Sequence, residues 1–324
     1  MEQRRLGGSG LSISRLGLGT MTWGRDTDQH DAREQLVAFA EAGGTLLDTA
    51  ASYGNGESER LIGALLDSAV PRADLVVATK AGISRASGQR VVDVSRKALL
   101  DQLDDSLDRL DLDYVDLWQV HTWSDAVPLE ETLGALEHAV TSGRARYVGV
   151  SNYSGWQTAA ASVRQRLTAG SQAPLVSTQV EYSLLQRGIE REVLPAADRL
   201  GLGLLAWSPL GRGVLTGKYR SGTPADSRAA TTHFAPFVDP YLDGRSAKIV
   251  EAVCTAADGL DALPLEVALA WVRDRPGVTA AVVGARTATQ LRDILAADDL
   301  ALPLEIRAAL DEVSAIATGY PESR

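Results

Sequence analysis

The chain has 324 residues, which is enough for one large globular domain or for two smaller ones. Its 32 basic and 42 acidic side chains give a net charge of −10, which argues against nucleic acid as a partner because phosphate backbones bind basic surfaces. With a single cysteine, Cys254, no export signal and no apolar run of about 20 residues, we expect a cytoplasmic protein without a disulfide or a membrane partner.

Short apolar runs and amphipathic stretches alternate along the first two thirds of the sequence. Residues 4–19 surround a glycine-rich turn, which predicts a small hairpin that leads into a strand. The runs are apolar throughout, as in parallel strands that are buried on both faces. They predict strands at 15–19, 45–48, 75–80, 114–121, 145–150, 176–181 and 202–207.

The alternation stops after Trp207. Residues 211–245 show no period and are rich in turn-forming residues, which is typical of a functional or disordered loop. The remaining sequence predicts helices at about 246–258, 264–274, 288–297 and 303–317, and a last strand at 280–284. Two doubly wound domains would fit the length, but eight strand–helix units favour a closed barrel.

We therefore predict an α/β fold, a (β/α)8 TIM barrel with an N-terminal β-hairpin, a long loop after strand 7 and a C-terminal extra helix. No shift in composition marks a second domain, so residues 1–324 are expected to form a single domain.

Four ionisable side chains stand at or just after the ends of predicted strands. Asp48, Lys80 and His121 each end a strand, and Tyr53 lies on the loop after Asp48. In a barrel of this type the carboxyl ends of the strands meet at one mouth, so the four side chains should converge. Each alone could be an ordinary packing or surface residue, but the group of four is difficult to explain by packing.

These residue types in one place indicate an acid that protonates an alkoxide. The Lys80 ammonium would lower the pKa of the Tyr53 phenol from about 10 by roughly 1–3 units. Asp48 would keep Lys80 charged, and His121 would form a hydrogen bond to a substrate oxygen. An alkoxide forms when a carbonyl receives hydride, which a cofactor must supply. One histidine and one aspartate do not make a metal site.

Two segments could bind the phosphates of such a cofactor, although no GxGxxG motif follows a strand. Residues 211–218 offer glycine amides and two cations, Arg212 and Lys218, which suit a diphosphate. At Gly284 the last strand meets a helix, and Arg286 there suits a 2′-phosphate. The first segment could instead be a flexible, solvated loop.

Polar and aromatic residues at neighbouring strand ends could bind the other half of the cofactor. Ser151, Asn152 and Gln179 could form hydrogen bonds to a carboxamide, and Trp207 could stack on a flat ring. Each is equally consistent with packing inside the barrel or at its rim.

Motifs along nearly the whole chain resemble those of one family. They are LGLGTMTWG (16–24), LLDTAASYGNGESERLIG (46–63), ATK (78–80), DLWQVH (116–121), VGVSNY (148–153), TQVEYSLL (178–185), AWSPLGRGVLTGKY (206–219) and VVGARTATQL (282–291). The sequence resembles the aldo-keto reductases, in particular the bacterial branch related to the potassium-channel β subunits. The resemblance implies a (β/α)8 barrel, a catalytic tetrad of Asp48, Tyr53, Lys80 and His121, and NADP(H) extended across the barrel mouth.

The resemblance also implies which residues bind the cofactor. They are Thr20, Met21, Ser151, Asn152, Gln179, Trp207, Ser208, Pro209, Leu210, Gly211, Gly213, Lys218, Gly284, Arg286, Gln290 and Asp293. The sequence departs from the family at Asp293-Ile294, where Glu-Asn is frequent near the adenine.

The substrate is less well defined than the cofactor. Met21, Trp23, Trp123 and the loop at 211–245 could form an apolar pocket for an aldehyde or ketone, or could be ordinary rim packing. No cation in the pattern lines up with a substrate carboxylate or phosphate. The favoured hypothesis is an NADPH-dependent carbonyl reductase. The alternatives are a nucleotide-sensing, non-catalytic partner protein and a lyase that forms a Schiff base through Lys80.

Overall fold

Eight parallel strands form a closed barrel in the computed structural model, which describes residues 1–85, 88–167, 173–225, 227–232, 234–317 and 319–320. With two separate hairpins, the described residues contain twelve strands: β1 (Gln3–Arg5), β2 (Ser12–Ser14), β3 (Leu16–Gly19), β4 (Leu46–Asp48), β5 (Val76–Ala81), β6 (Ile83–Ser84), β7 (Val91–Val92), β8 (Val115–Val120), β9 (Ala145–Ser151), β10 (Leu175–Glu181), β11 (Gly203–Trp207) and β12 (Val278–Val283). The barrel order is β3-β4-β5-β8-β9-β10-β11-β12, and β12 pairs with β3 to close it.

Helices alternate with the barrel strands and cover their outer faces. They are α1 (Gln29–Glu41), α2 (Glu57–Leu65), α3 (Arg96–Leu110), α4 (Leu129–Thr141), α5 (Gly155–Leu167), α6 (Val193–Leu200), α7 (Ala235–Val238), α8 (Gly244–Leu260), α9 (Pro264–Arg273), α10 (Ala288–Ala296) and α11 (Leu304–Val313). The predicted α/β barrel is confirmed, and each of its eight strands lies within two residues of its predicted position.

The core has two layers. One lies between the strands and the surrounding helices, and the other fills the barrel interior. Leu6 and Ile13, from the hairpin β1–β2, are fully buried in the interior layer beside Leu46, Leu117 and Leu205. The predicted hairpin therefore contributes apolar side chains to the barrel interior. This leaves the carboxyl ends of the strands to build a site.

The structure differs from the sequence prediction in three segments. Residues 211–245 contain a 3₁₀ helix at Gly211–Thr216 and the short helix α7, although no period predicted them. The sequence predicts a helix over 189–200, but helix α6 starts at Val193 because a separate 3₁₀ turn precedes it. The hairpin β6–β7 was not predicted, since two-residue strands are too short to give a periodic pattern.

Among the described residues, every helix is too short or too polar to serve as a membrane span.

Candidate active site

Three adjacent barrel strands bring the four ionisable side chains together. Asp48 is the last residue of β4, Lys80 is the penultimate residue of β5, and His121 directly follows β8. In the barrel β5 pairs with both β4 and β8. Tyr53 begins a 3₁₀ helix, Tyr53–Gly56, on the loop after β4. The structure thus places all four at the same mouth of the barrel.

Asp48 and Lys80 form a buried ion pair. The Lys80 Nζ atom lies 2.6 Å from Asp48 Oδ2 and also donates to the carbonyl oxygen of Thr49 at 2.9 Å. Gln179 Nε2 donates to the other carboxylate oxygen at 2.8 Å. Burial is the largest single effect and would lower the pKa of Lys80, but Asp48 and Tyr53 together outweigh it and the pKa is raised. Lys80 is therefore held as a cation.

Tyr53 packs between this ion pair and His121. The Lys80 Nζ atom lies 5.4 Å from the centre of the Tyr53 ring, and the rings of Tyr53 and His121 meet edge to face at 6.0 Å. Burial raises the pKa of Tyr53, Lys80 lowers it and Asp48 raises it, and the net direction is upward. The sequence predicted the opposite net direction because it took account of the ammonium but not of desolvation.

His121 is a neutral imidazole in this setting. Burial lowers its pKa well below the ordinary value, and the Lys80 charge lowers it further. Its Nδ1 atom is buried without a hydrogen-bond partner among the described residues. An unpartnered lone pair is less costly than an unpartnered N–H, which favours the tautomer that carries hydrogen on Nε2.

A hydrogen-bond network continues from this cluster across β9, β10 and β11. Asn152 Nδ2 donates to the carbonyl oxygen of His121 at 3.0 Å, and Trp207 Nε1 donates to Asn152 Oδ1 at 3.1 Å. Ser151 Oγ donates to the carbonyl oxygen of Gln179 at 2.9 Å. Asn152 has a φ of 57°, a left-handed backbone conformation that Asn tolerates. The four residues predicted for the carboxamide end therefore form one connected wall.

The glycine-containing segment after β11, which we call the cradle, is a series of tight turns with left-handed residues. Ser208, Gly211 and Gly213 have φ values of 52°, 55° and 92°. Within these turns the Gly211 and Gly213 amides donate to the carbonyl oxygens of Ser208 and Leu210, both at 2.9 Å. Turns with left-handed residues also occur in the backbone concavities that bind anions in proteins. A Cβ atom added to Gly213 would lie 3.4 Å from Lys218 Nζ, so the lysine side chain ends beside this turn. Glycine backbone and a cation together fit a diphosphate.

Arg212 does not belong to this cradle. Its guanidinium binds both oxygens of Glu181, at 2.8 and 2.6 Å, and donates to the carbonyl oxygen of Phe237 at 2.5 Å. It also lies over the rings of Phe237 and Tyr241. The expectation that it is a cation for the diphosphate is wrong, because the side chain anchors the segment after β11.

The end of β12 leads into α10 through a second amide-rich turn. Thr287 caps α10 by accepting a bond from the Gln290 amide, and Gln290 Oε1 accepts from the Arg286 amide at 3.0 Å. Gly284 and Asp293 are exposed there, whereas Ile294 is buried in the core. Of the two residues that depart from the family pattern, Asp293 thus faces the solvent and Ile294 faces the core.

Other predicted contacts lie around the mouth in different settings. Thr20 is buried and its Oγ1 donates to the carbonyl oxygen of Asp48 at 3.1 Å, while Met21 is half-buried. Pro209 and Leu210 belong to the turn after β11 that precedes the 3₁₀ helix.

The two tryptophans predicted for the substrate pocket occupy different environments in the structure. Trp23 is 0% exposed and its Nε1 donates to Gln35 Oε1 inside the core, so it does not form a pocket wall. Trp123 is half-buried after β8 and packs edge to face against Tyr153 and Trp156 at 5.1 and 5.3 Å. Trp156 is 59% exposed, so this cluster presents an aromatic surface near the site.

Two supporting contacts were missed by the sequence analysis. Glu59 of α2 is 0% exposed and accepts hydrogen bonds from Thr79 of β5 and Arg109 of α3. The Arg25 guanidinium lies 4.5 Å from the centre of the Phe234 ring and joins the loop after β3 to the segment before α7. An acid on the apolar face of α2 could have indicated that Glu59 has buried partners. No sequence pattern indicated the contact between Arg25 and Phe234.

Comparison with known proteins gives a consistent result. The model of the Aldo/keto reductase family matches residues 15–315. A probable voltage-gated potassium channel subunit beta from Oryza sativa subsp. japonica is 36% identical over 99% of this chain and 98% of its own. The uncharacterized oxidoreductase YrpG from Bacillus subtilis is 35% identical over 97% and 96% of the two chains. L-glyceraldehyde 3-phosphate reductase from Escherichia coli is 33% identical over 96% and 92%.

The match covers all eight barrel strands, including those that carry Asp48 and Lys80 and the one that His121 follows. The chain belongs to the aldo/keto reductase family. The resemblance noted from its motifs is thereby confirmed, and the family supports carbonyl reduction in general terms.

Proposed function

We propose that the protein reduces the carbonyl group of an aldehyde or ketone with NADPH, and that Tyr53 is the general acid. The observation that carries the proposal is the buried Asp48–Lys80 ion pair, 2.6 Å long, packed against the Tyr53 ring. Family membership supports the reaction class, and the geometry of the site supports the roles of the residues.

Each residue of the tetrad has a separate role. Because the pKa of Tyr53 is raised, its phenol stays protonated at neutral pH and can donate a proton to the substrate oxygen. Lys80 remains a cation and stabilises the phenolate that the donation leaves behind. Asp48 positions Lys80, and neutral His121 donates a hydrogen bond from Nε2 to the same substrate oxygen.

The cofactor, when bound, supplies the hydride. Ser151, Asn152 and Gln179 would hold its carboxamide end and Trp207 would stack on the ring. Its diphosphate would lie at the cradle of Ser208, Pro209, Leu210, Gly211, Gly213 and Lys218. Thr20 and Met21 would line the mouth, and Gly284, Arg286, Gln290 and Asp293 would bind the adenosine end. Arg286 would favour a 2′-phosphate, which supports NADPH over NADH.

Substitution of Tyr53 by Phe tests this proposal. Loss of the phenolic hydroxyl should lower kcat about 10²- to 10⁴-fold, because the general acid is removed while the ring remains. NADPH binding, followed by protein fluorescence, should be unchanged. The matched control is Tyr147→Phe in the first half of β9, which should retain both activity and binding. Retained turnover in Tyr53→Phe would show that another group is the acid.

A nucleotide-sensing partner protein is a second candidate, favoured by the similarity to a probable potassium channel subunit beta. It predicts NADPH binding, a stable complex with a partner and negligible turnover over a panel of carbonyl compounds. Turnover of carbonyl compounds by the unaltered protein, measured in the Tyr53 experiment, distinguishes the two candidates.

A Schiff-base lyase is disfavoured by the state of Lys80. Its ammonium is paired with Asp48 and its pKa is raised, so the amine is not free to act as a nucleophile. Failure of borohydride to trap a substrate on Lys80 is the expected result.

A further inference from the structure

The hairpin β6–β7 stands directly beside the candidate active site. It follows β5 after one residue, and the carbonyl oxygen of Ala81 at the end of β5 accepts a hydrogen bond from the His121 amide at 2.8 Å. The hairpin pairs Ile83 with Val92 and Ser84 with Val91. It therefore extends outward from the point where His121 is anchored.

Two arginines occupy the next positions toward the tip of this hairpin. Extending the register by one residue places Arg85 opposite Arg90, and residues directly opposite in an antiparallel pair share a face. Both are exposed, and within the described ranges neither guanidinium makes a hydrogen bond or an ion pair. This is unusual in a chain with a net charge of −10, in which many other arginines bind a carboxylate.

The charges of Arg85 and Arg90 act electrostatically on His121 in the candidate active site. After burial and Lys80, these two guanidinium groups are the remaining causes that lower the pKa of His121. Since His121 is placed to contact the substrate oxygen, a substrate bound there lies within the field of both arginines.

Like charges directly opposite each other on a hairpin are unfavourable, so folding stability alone does not explain this pair. A bound anion between them would remove the repulsion. The planar guanidinium group matches the oxygens of carboxylates and phosphates through paired hydrogen bonds. Two other cations near the mouth already pair with carboxylates, Lys80 with Asp48 and Arg212 with Glu181.

We propose that Arg85 and Arg90 bind an anionic group of the substrate, so that the preferred substrates are aldehydes or ketones that carry a carboxylate or a phosphate. The proposal rests on the proposed carbonyl reductase function and specifies its substrate class. The arginines act in binding and not in proton transfer, so they determine KM rather than kcat.

The test compares the unaltered protein with the double variant R85Q/R90Q on matched substrates. The carboxylate pair is 4-carboxybenzaldehyde and its neutral methyl ester, and the phosphate pair is glyceraldehyde 3-phosphate and glyceraldehyde. For an anionic substrate the double variant should raise KM about tenfold with kcat unchanged, because it loses charge-assisted hydrogen bonds. For the neutral substrates both parameters should be unchanged.

The matched control is R5Q/R199Q, which removes two exposed arginines at the opposite end of the barrel, on β1 and in the last turn of α6. It should behave as the unaltered protein on all four substrates. The carboxylate and phosphate pairs show which anion is bound. Salt should weaken the preference for the anionic member of a pair, since exposed charges are screened.

The outcomes separate this inference from the proposed function. If the unaltered protein reduces neutral aldehydes but R85Q/R90Q leaves KM for both anionic substrates unchanged, the inference is wrong and the reductase function stands. An equal loss on charged and neutral substrates would also overturn it, because the effect would then be structural. If the unaltered protein reduces none of the four, the proposed function fails and the inference fails with it.

Discussion

At the scale of single residues, the Asp48–Lys80 pair shows how a buried charge is held in place. Lys80 is 1% exposed and Asp48 is 2% exposed, so neither charge is solvated. Taking two charges out of water is costly, and the cost is offset only if each charge keeps its partner and its hydrogen bonds. The bonds from Lys80 to Thr49 and from Gln179 to Asp48 complete that requirement.

We expect the variants Asp48→Asn and Lys80→Met each to lose about 3–5 kcal/mol of unfolding free energy, because each leaves one uncompensated buried charge. The double variant should lose less than the sum of the two, since it removes both charges together. Urea unfolding of the four proteins measures this coupling. Additive losses would indicate that the two charges do not stabilise each other.

The residues of this pair were predictable, and some of their surroundings were not. Asp48, Lys80 and His121 could be identified because a parallel barrel sends the last residue of every strand to the same mouth. The net pKa shift of Tyr53 and the burial of Trp23 depend on how much side chain surrounds each group. The side chains that surround each group come from residues distant in sequence, so no local sequence pattern predicts how deeply the group is buried.

At the scale of elements, a glycine in α2 sets how closely two helices approach. A Cβ atom added to Gly63 would lie 2.8 Å from the carbonyl oxygen of Arg109 and 2.9 Å from that of Leu110, at the end of α3. Backbone atoms cannot move aside as a flexible side chain can. By contrast, a Cβ atom added to Gly259 in α8 would meet nothing within 4 Å.

We expect Gly63→Ala and Gly259→Ala to change stability in opposite directions. Alanine is a better helix former than glycine, so Gly259→Ala should stabilise the protein by up to about 1 kcal/mol. Gly63→Ala should instead destabilise it by about 1–3 kcal/mol, because the clash forces α2 and α3 apart. Thermal unfolding gives both values, and a stabilised Gly63→Ala would show that the helices have room to separate.

Long elements were predicted well and short ones were missed, for a physical reason. A strand such as β5 or a helix such as α3 presents enough residues to give a period that reflects burial. The hairpin β6–β7 and the short helix α7 contain only a few residues, and tertiary contacts such as the Arg212–Glu181 ion pair fix the segment after β11. The position of the hairpin arginines beside the site could therefore be recognised only from the structure.

At the scale of the whole molecule, cofactor binding and folding should be linked, because the proposed contacts lie on loops that follow several different strands. NADPH at one hundred times its Kd should raise the free energy of unfolding by about 2.7 kcal/mol if it binds only the folded chain. NADH at the same concentration should stabilise less, because the contact that we propose for Arg286 requires a 2′-phosphate. The variant Arg286→Gln should reduce the difference between the two nucleotides.

Thermal unfolding midpoints measured with each nucleotide test this prediction without any turnover. The variant Arg199→Gln, altered at the far end of the barrel, serves as the control and should respond as the unaltered protein does. Equal shifts with NADPH and NADH would remove the basis for assigning a phosphate contact to Arg286.

Closure of the barrel has a consequence for how this chain can meet other chains. Each of the eight strands from β3 to β12 in the barrel order is hydrogen-bonded on both sides. A sheet of that kind offers no edge to which an incoming strand could add, which removes a common route to fibrous aggregation. In the part of the chain that the structure describes, the remaining pairs are β1–β2 and β6–β7, with edges of only three and two residues. Self-association of the folded chain should therefore proceed through helices and loops and leave the sheet unchanged.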